Sequence, residues 1–164
     1  MNNKVITIFT DGSSRGNPGP GGWAAIVVND QNVLELGDEE RRTTNNRMEM
    51  KAAIEALKKT PKESKITLYT DSSYLINGIT KWVKGWKRNG WKTKTKDDVL
   101  NKDLWVELDN LASDRNIKWV QVSGHAGIAG NERCDEIATA FADNKPVELF
   151  NDSPDKYRLY PISP

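Results

Sequence analysis

The sequence predicts a mixed α/β fold: one sheet of five strands, three antiparallel and then two parallel, flanked by helices. Three observations predict it. Val5-Ile6-Thr7-Ile8-Phe9-Thr10 carries β-favouring residues with apolar side chains on both faces, as in a central strand covered on two sides. The same strand-to-turn pattern returns at Ile66-Thr67-Leu68-Tyr69-Thr70, so two strands end in Thr10-Asp11-Gly12-Ser13 and Thr70-Asp71-Ser72-Ser73. Between them lies the helical stripe Met50, Ala53, Ile54 and Leu57, which makes the connection a crossover between parallel strands.

The first strand stops in the turn cluster Arg15-Gly16-Asn17-Pro18-Gly19-Pro20-Gly21-Gly22. Trp23 to Val28 reads as a second strand, Asn29 to Asn32 as a turn, and Val33-Leu34-Glu35-Leu36 as the start of a third, so short connections give an antiparallel meander. Thr43-Thr44-Asn45-Asn46 supplies start signals for the first helix, and Lys58-Lys59-Thr60-Pro61 ends it. After the Asp71 strand a helix is expected from Ser72 to about Gly78, then a second helical piece with Trp82, Val83 and Trp86. Leu100 to Leu111 reads as a helix with Leu104, Trp105, Leu108 and Leu111 on one face, and Ile117 to Val122 as the last strand. The loop Ser123-Gly124-His125-Ala126-Gly127 holds the only histidine. A final helix carries the stripe Cys134, Ile137, Ala138 and Phe141, which marks Cys134 as core. The expected organisation is one domain over residues 1–142 and a tail over 143–164, punctuated by Pro146, Pro154, Pro161 and Pro164. Tyr157, Leu159, Tyr160 and Ile162 can pin part of that tail to the body; a wholly disordered tail is the alternative.

The totals exclude several classes. A chain of 164 residues, 37% hydrophobic and 29% charged, suits one soluble globular domain, which at this size buries roughly 70% of its unfolded surface. No apolar run reaches the roughly 20 residues of a membrane helix, and the start enters a strand with no signal-peptide pattern. A single cysteine excludes an internal disulfide, and the expected compartment is the cytoplasm. A monomer is expected, since no long exposed apolar stripe is left over. The net charge of +1 announces no partner, but its distribution does. Lys81, Lys84, Lys87, Arg88, Lys92, Lys94 and Lys96 occur with no acid among them and with Trp82, Trp86 and Trp91 interleaved. Basic side chains mixed with aromatics suit a nucleic-acid backbone with sugars and bases against the rings; a solvated helix face with packed tryptophans is the plainer reading.

Four carboxylates stand out by position. Asp11 and Asp71 end parallel strands, at the sheet edge where α/β folds gather ligands. Glu49 is expected in the first turn of its helix and Asp135 near the start of the last one. Each has a plain alternative: Asp11 a turn former, Asp71 a helix N-cap, Glu49 a capping-box partner of Asn46, Asp135 a favourable charge on a helix dipole. Together they make an all-oxygen cluster suited to Mg²⁺ or Mn²⁺, and beside a basic strip the natural chemistry is two-metal phosphodiester hydrolysis.

These stretches, in this order, resemble the ribonuclease H type 1 family along residues 4–142. The resemblance rests on Thr10-Asp11-Gly12-Ser13 with Gly16-Asn17-Pro18-Gly19, Thr44 to Glu49, Thr70-Asp71-Ser72, Trp82 to Trp91, and Gly124-His125-Ala126-Gly127 with Asn131 to Asp135. It implies a ribonuclease H-like fold and an endonuclease that cuts the RNA strand of RNA–DNA hybrids, leaving 5′-phosphate and 3′-hydroxyl ends. Asp11, Glu49, Asp71 and Asp135 are then the metal ligands and His125 a proton shuttle or product-release group. Gly12, Ser13, Asn17, Asn45 and Asn46 fall in the minor-groove zone that reads 2′-hydroxyls; Arg42, Thr44 and Asn101 match a DNA-phosphate pocket; Tyr74 and Trp86 match a DNA channel. The Lys81–Lys96 segment, with Lys84, Lys87 and Arg88, matches the basic protrusion of many members. Ser73 departs from the glutamine of several bacterial relatives, Lys94 from a smaller residue in some, and no separate hybrid-binding domain is expected ahead of Met1. A DNA nuclease on the same sheet, or a non-catalytic binding module, are the competing functions.

Overall fold

β1 (Val5–Ser14) is the strand on which the sheet is built. The computed structural model describes residues 5–123 and 127–162; His125 lies outside them. β2 (Gly19–Val28) and β3 (Val33–Thr43) pair antiparallel on one side of β1. β4 (Lys65–Thr70) and β5 (Asn116–Gln121) add in parallel on the other. The five expected strands are thus present, and a sixth, β6 (Asn151–Asp152), pairs with β3, giving the order β5-β4-β1-β2-β3-β6. Two residues are too few to leave an alternating pattern, which is why β6 escaped the sequence reading.

The alternation of β1 explains its apolar character on both faces. Ile6 and Ile8 enter a large core with Met50, Ala53, Ile54 and Leu57 of α1 (Asn45–Leu57) and Leu104, Trp105 and Leu108 of α4 (Lys102–Ser113). Phe9 enters a second core on the opposite face, with Ala24, Ile26, Val33 and the Cys134, Ile137 and Ala138 stripe of α5 (Ala129–Ala142). Cys134 is fully buried and its thiol donates to the Phe9 carbonyl at 3.3 Å, as befits a core side chain. Among the described residues no helix is long and apolar enough to cross a membrane.

Several local expectations shift. Thr44, not Asn46, caps α1, accepting from the Arg47 amide at 3.2 Å, so Glu49 is the fifth helical residue and takes no part in a capping box. Ser72, not Asp71, caps α2 (Ser73–Asn77), accepting from the Leu75 amide at 3.1 Å. A π-turn over Gly78–Trp82 then joins α2 to α3 (Val83–Arg88), so the two expected helical pieces form one bent run. Gly78 faces the Trp105 ring so closely that a Cβ would overlap it, and this contact is what lets the bent run lie on α4. α4 starts two residues later than expected, because Leu100 is 73% exposed and Asn101 is left-handed at φ 61°. α5 begins at Ala129, which puts Asp135 seventh in the helix rather than near its start.

The chain after α5 runs back across the α5 face of the sheet. Val147, Phe150, Leu159 and Ile162 pack against the second core and Tyr157 is 4% exposed, whereas Tyr160 stays exposed. Glu35 of β3 holds this segment: its carboxylate accepts from Arg133, from the Phe150 amide and from the Tyr157 hydroxyl.

Candidate active site

β1 and β4 run side by side in parallel with Phe9 opposite Tyr69, so two residues further on Asp11 and Asp71 emerge together at the carboxyl edge. α1 brings Glu49 to the same point. The approach is possible because residue 12 is glycine: a Cβ there would collide with the backbone of Met48 and Glu49. The Gly12 amide uses that proximity and donates to Glu49 at 2.6 Å and to Asp11 at 2.9 Å. The Thr70 hydroxyl donates to the other Glu49 oxygen at 3.4 Å. One carboxylate oxygen from each of Asp11, Glu49 and Asp71 lies within 4.8 Å of the others. Asp135 reaches the same cleft from α5 on the opposite face of the sheet, outside that triad.

The electrostatics follow from this crowding. Burial pushes the Asp11 carboxyl up to about 7; the Glu49 hydrogen bond offsets part of that, and the Asp71 and Asp135 charges add to it. Glu49, 4% exposed, is raised well above the ordinary range by burial first and then by Asp11. Carboxylates held this way share protons unless a cation neutralises them. The donor set is all oxygen, which fits a hard divalent cation. Asn131 Oδ1, on the same cleft, is buried and has no hydrogen-bond partner among the described residues, an acceptor fitted to a bound water or other donor.

The cleft has a volume of about 730 Å³ and is lined by Asp11, Glu49, Asp71 and Asp135 together with Gly12, Ser13, Asn45, Asn46 and Tyr74. Asn45 accepts from the Ser14 amide at 3.2 Å and Asn46 is exposed at the rim. Asn17 and Arg42 are exposed and lie outside the cleft lining, as does Thr44. Asn101 sits on the flank: it donates to the Tyr74 hydroxyl at 3.0 Å and accepts from Arg47 at 3.2 Å. Trp105 also donates to Tyr74, at 3.2 Å, so the tyrosine's own proton is left for an acceptor in the cleft. Trp86 packs on Trp105 and Trp82, with ring centroids 5.6 and 5.8 Å away.

The basic segment needs one correction. Lysines without acids in their own stretch find them elsewhere: Lys87 pairs with Asp109 at 2.9 Å and Lys92 with Asp98 at 2.6 Å. Lys81, Lys84, Arg88, Lys94 and Lys96 are exposed and make no ion pair among the described residues. Arg47 and Asn131 were missed as individual site residues. The signal for Asn131 was its place four residues before Asp135, on the same helix face. Arg47 had no local signal, since its partners Asn101 and Asp103 are more than fifty residues away.

Fold and site together define an α/β protein with a carboxylate cluster at a sheet edge, of a kind that could hold a hard cation, and a basic segment. The profile of the RNase H family matches residues 3–143. A ribonuclease H of Thermosynechococcus vestitus is 53% identical over 149 residues, 88% of this chain and 93% of the relative. A ribonuclease H of Francisella tularensis subsp. novicida is 52% identical over 136 residues, 83% of this chain and 89% of its own. Among solved structures, LC9-RNase H1, a type 1 RNase H, superposes with a TM-score of 0.79 at 28% identity, covering 93% of this chain and 79% of that one. The chain belongs to the RNase H family.

Proposed function

We propose that this chain is an endonuclease that hydrolyses the RNA strand of RNA–DNA hybrids with Mg²⁺, leaving 5′-phosphate and 3′-hydroxyl ends. The observation that carries the reading is the triad Asp11, Glu49 and Asp71, with oxygens within 4.8 Å of one another at the floor of an open cleft. Asp11, Glu49, Asp71 and Asp135 are the residues that would hold the cation. Bound there, a pair of Mg²⁺ ions would supply charge neutralisation at the scissile phosphate and an activated water, the chemistry of two-metal phosphodiester hydrolysis.

The chain's own groups do the rest. Gly12 orients Glu49 through its amide, and Thr70 holds the second oxygen. Ser13, Asn45 and Asn46 bring backbone and amide groups to the rim, where 2′-hydroxyls distinguish an RNA strand from DNA. Tyr74, held by Asn101 and Trp105, presents a donor to a phosphate, and Arg42, Thr44 and Asn101 form the DNA-phosphate contact. Lys84 and Arg88 steer the hybrid, Lys87 being held by Asp109, and Trp86 backs its channel. Proton transfer by His125 is assigned by resemblance to the family alone.

The test is cleavage of a labelled hybrid with Mg²⁺ or with EDTA, beside RNA–RNA and DNA–DNA duplexes of the same sequence. The expected result is cutting of the RNA strand of the hybrid alone, only with metal. Cutting of duplex DNA assigns a DNA nuclease instead; hybrid binding without cutting assigns a binding module.

A further inference from the structure

α5 is gripped from two sides. On one flank Asn131 and Asp135, four residues apart, face the cleft. Arg133 lies two residues from Asp135, about 200° around the helix, and so points the other way. There its guanidinium makes a two-pronged pair with Glu35 of β3, Nε to Oε2 at 2.8 Å and Nη2 to Oε1 at 2.9 Å. The pair is dry: the Arg133 and Glu35 side chains are 12% and 1% exposed.

The C-terminal segment bonds both members of this pair, while Arg133 Nη1 also lies 3.6 Å from Glu136 of its own helix. The Tyr157 hydroxyl donates to Glu35 Oε2 at 2.6 Å and the Phe150 amide to Oε1 at 3.0 Å. Arg133 Nη2 donates to the Glu148 carbonyl at 2.8 Å, and the Glu35 amide to the Phe150 carbonyl at 2.8 Å. The Phe150 and Tyr157 rings meet with centroids 4.8 Å apart. Arg133 is thus bonded to a strand on one side and to the returning chain on the other.

We propose that Glu35, Arg133 and Tyr157 are positioning residues for Asp135, and that the returning segment 147–162 is the strap that sets the rotation of α5 about its axis. A buried ion pair adds little net stability over apolar side chains of the same volume, so its contribution is direction rather than energy. Apolar contacts along the Cys134, Ile137 and Ala138 stripe tolerate small rotations, whereas a two-pronged guanidinium–carboxylate pair does not. A carboxylate about 6 Å from the helix axis moves about 2 Å for a 20° rotation. A displacement of about 1 Å at a reacting site already costs around a hundredfold in rate.

The proposal rests on Asp135 being a cation ligand, and the experiment separates the two. In the full chain, the pair is replaced by apolar residues, Glu35→Leu with Arg133→Met, and separately Tyr157→Phe removes one hydroxyl from the network. Mg²⁺ affinity is measured by calorimetry without substrate, and the Mg²⁺ concentration for half-maximal cleavage is measured alongside. Asp135→Asn reports on the ligand itself, and Arg115→Ala, which cuts bonds to Thr60 and Leu111 away from the cleft, controls for lost stability. The expected result is Mg²⁺ affinity weakened about tenfold in the apolar double variant and two- to threefold in Tyr157→Phe. The half-saturating Mg²⁺ rises in step, the KM for hybrid is unchanged, and Arg115→Ala has wild-type metal affinity. A folded double variant with wild-type Mg²⁺ affinity overturns the proposal. If the double variant does not fold, wild-type affinity in Tyr157→Phe overturns it in the same way. Unchanged affinity in Asp135→Asn removes the ligand reading, and the positioning role falls with it.

Discussion

Asp11 shows how one side chain is destabilised for use. It ends a central strand, is 9% exposed, and faces Glu49, Asp71 and Asp135. Burial first, then the neighbouring charges, raise its carboxyl to about 7. An acid whose folded value lies above its unfolded one favours the folded state while protonated, and that advantage is lost as pH rises through the folded value. Asp11→Asn keeps the shape, removes the charge and removes a cation ligand. Cleavage is therefore expected to fall at least a thousandfold on the scale of a lost metal-positioning group, while hybrid affinity, carried by the basic flank, stays within about threefold. The same variant is expected to melt about 3–6 °C higher than the parent at pH 8 without metal, the scale of about 1–2 kcal/mol for a domain of this size. Cleavage assays, hybrid titrations and melting curves in EDTA check the three statements; a variant that cuts normally or melts lower contradicts them.

The basic segment is best understood as an element. The bent run from α2 through α3 lies on α4 because Gly78 admits the Trp105 ring. That packing places Lys84 and Arg88 in solvent with no ion pair among the described residues, but ties Lys87 to Asp109, which is only 17% exposed. Replacing Lys84 and Arg88 by alanine is expected to reduce the slope of log affinity against log salt by about 2, near 0.9 for each phosphate that is no longer neutralised. Replacing Lys87 alone is expected to change the slope by less than about 0.4, under half the roughly 0.9 of a free cation, because its charge is already engaged. Hybrid binding across a salt series reads both; equal effects of Lys84 and Lys87 would show that the ion pair with Asp109 opens on binding. The charge cluster was legible in the sequence because like residues sat together. Its partial neutralisation was not, because Asp109 sits on a different helix and only packing joins them.

At the scale of the molecule, what was legible is what repeats locally: β-favouring runs between turns in β1 to β5, stripes on α1, α4 and α5, and the shared Thr-Asp endings of β1 and β4. Those endings in parallel neighbours were enough to bring Asp11 and Asp71 together. What was not legible depends on distant partners: Arg47 with Asp103, Glu35 with Arg133 and Tyr157, and the two-residue β6. The Asp11–Glu49 pair and Glu35 are shifted in opposite senses. Asp11 and Glu49 are both raised, so without metal their contribution to stability declines as pH climbs above their unfolded values, for Asp11 through about 7. Burial alone would raise Glu35, but hydrogen bonds from Arg133, Tyr157 and the Phe150 amide hold it below its ordinary value. A depressed acid contributes stability above its unfolded value and loses it as pH falls through the folded one. Metal-free stability is therefore expected to be highest near the unfolded carboxyl values, at about pH 4, declining above it as Asp11 and Glu49 ionise and below it as Glu35 is protonated. Mg²⁺ binds the ionised carboxylates, so at about 100 times its Kd it is expected to add about 2.7 kcal/mol and move the maximum above pH 7. Denaturant unfolding from pH 3 to 9, with EDTA and with Mg²⁺, reads the profile. A metal-free maximum at pH 7 or above, unmoved by Mg²⁺, would mean that the Asp11–Glu49 pair is already ionised in the free protein and that the cation is not what relieves it.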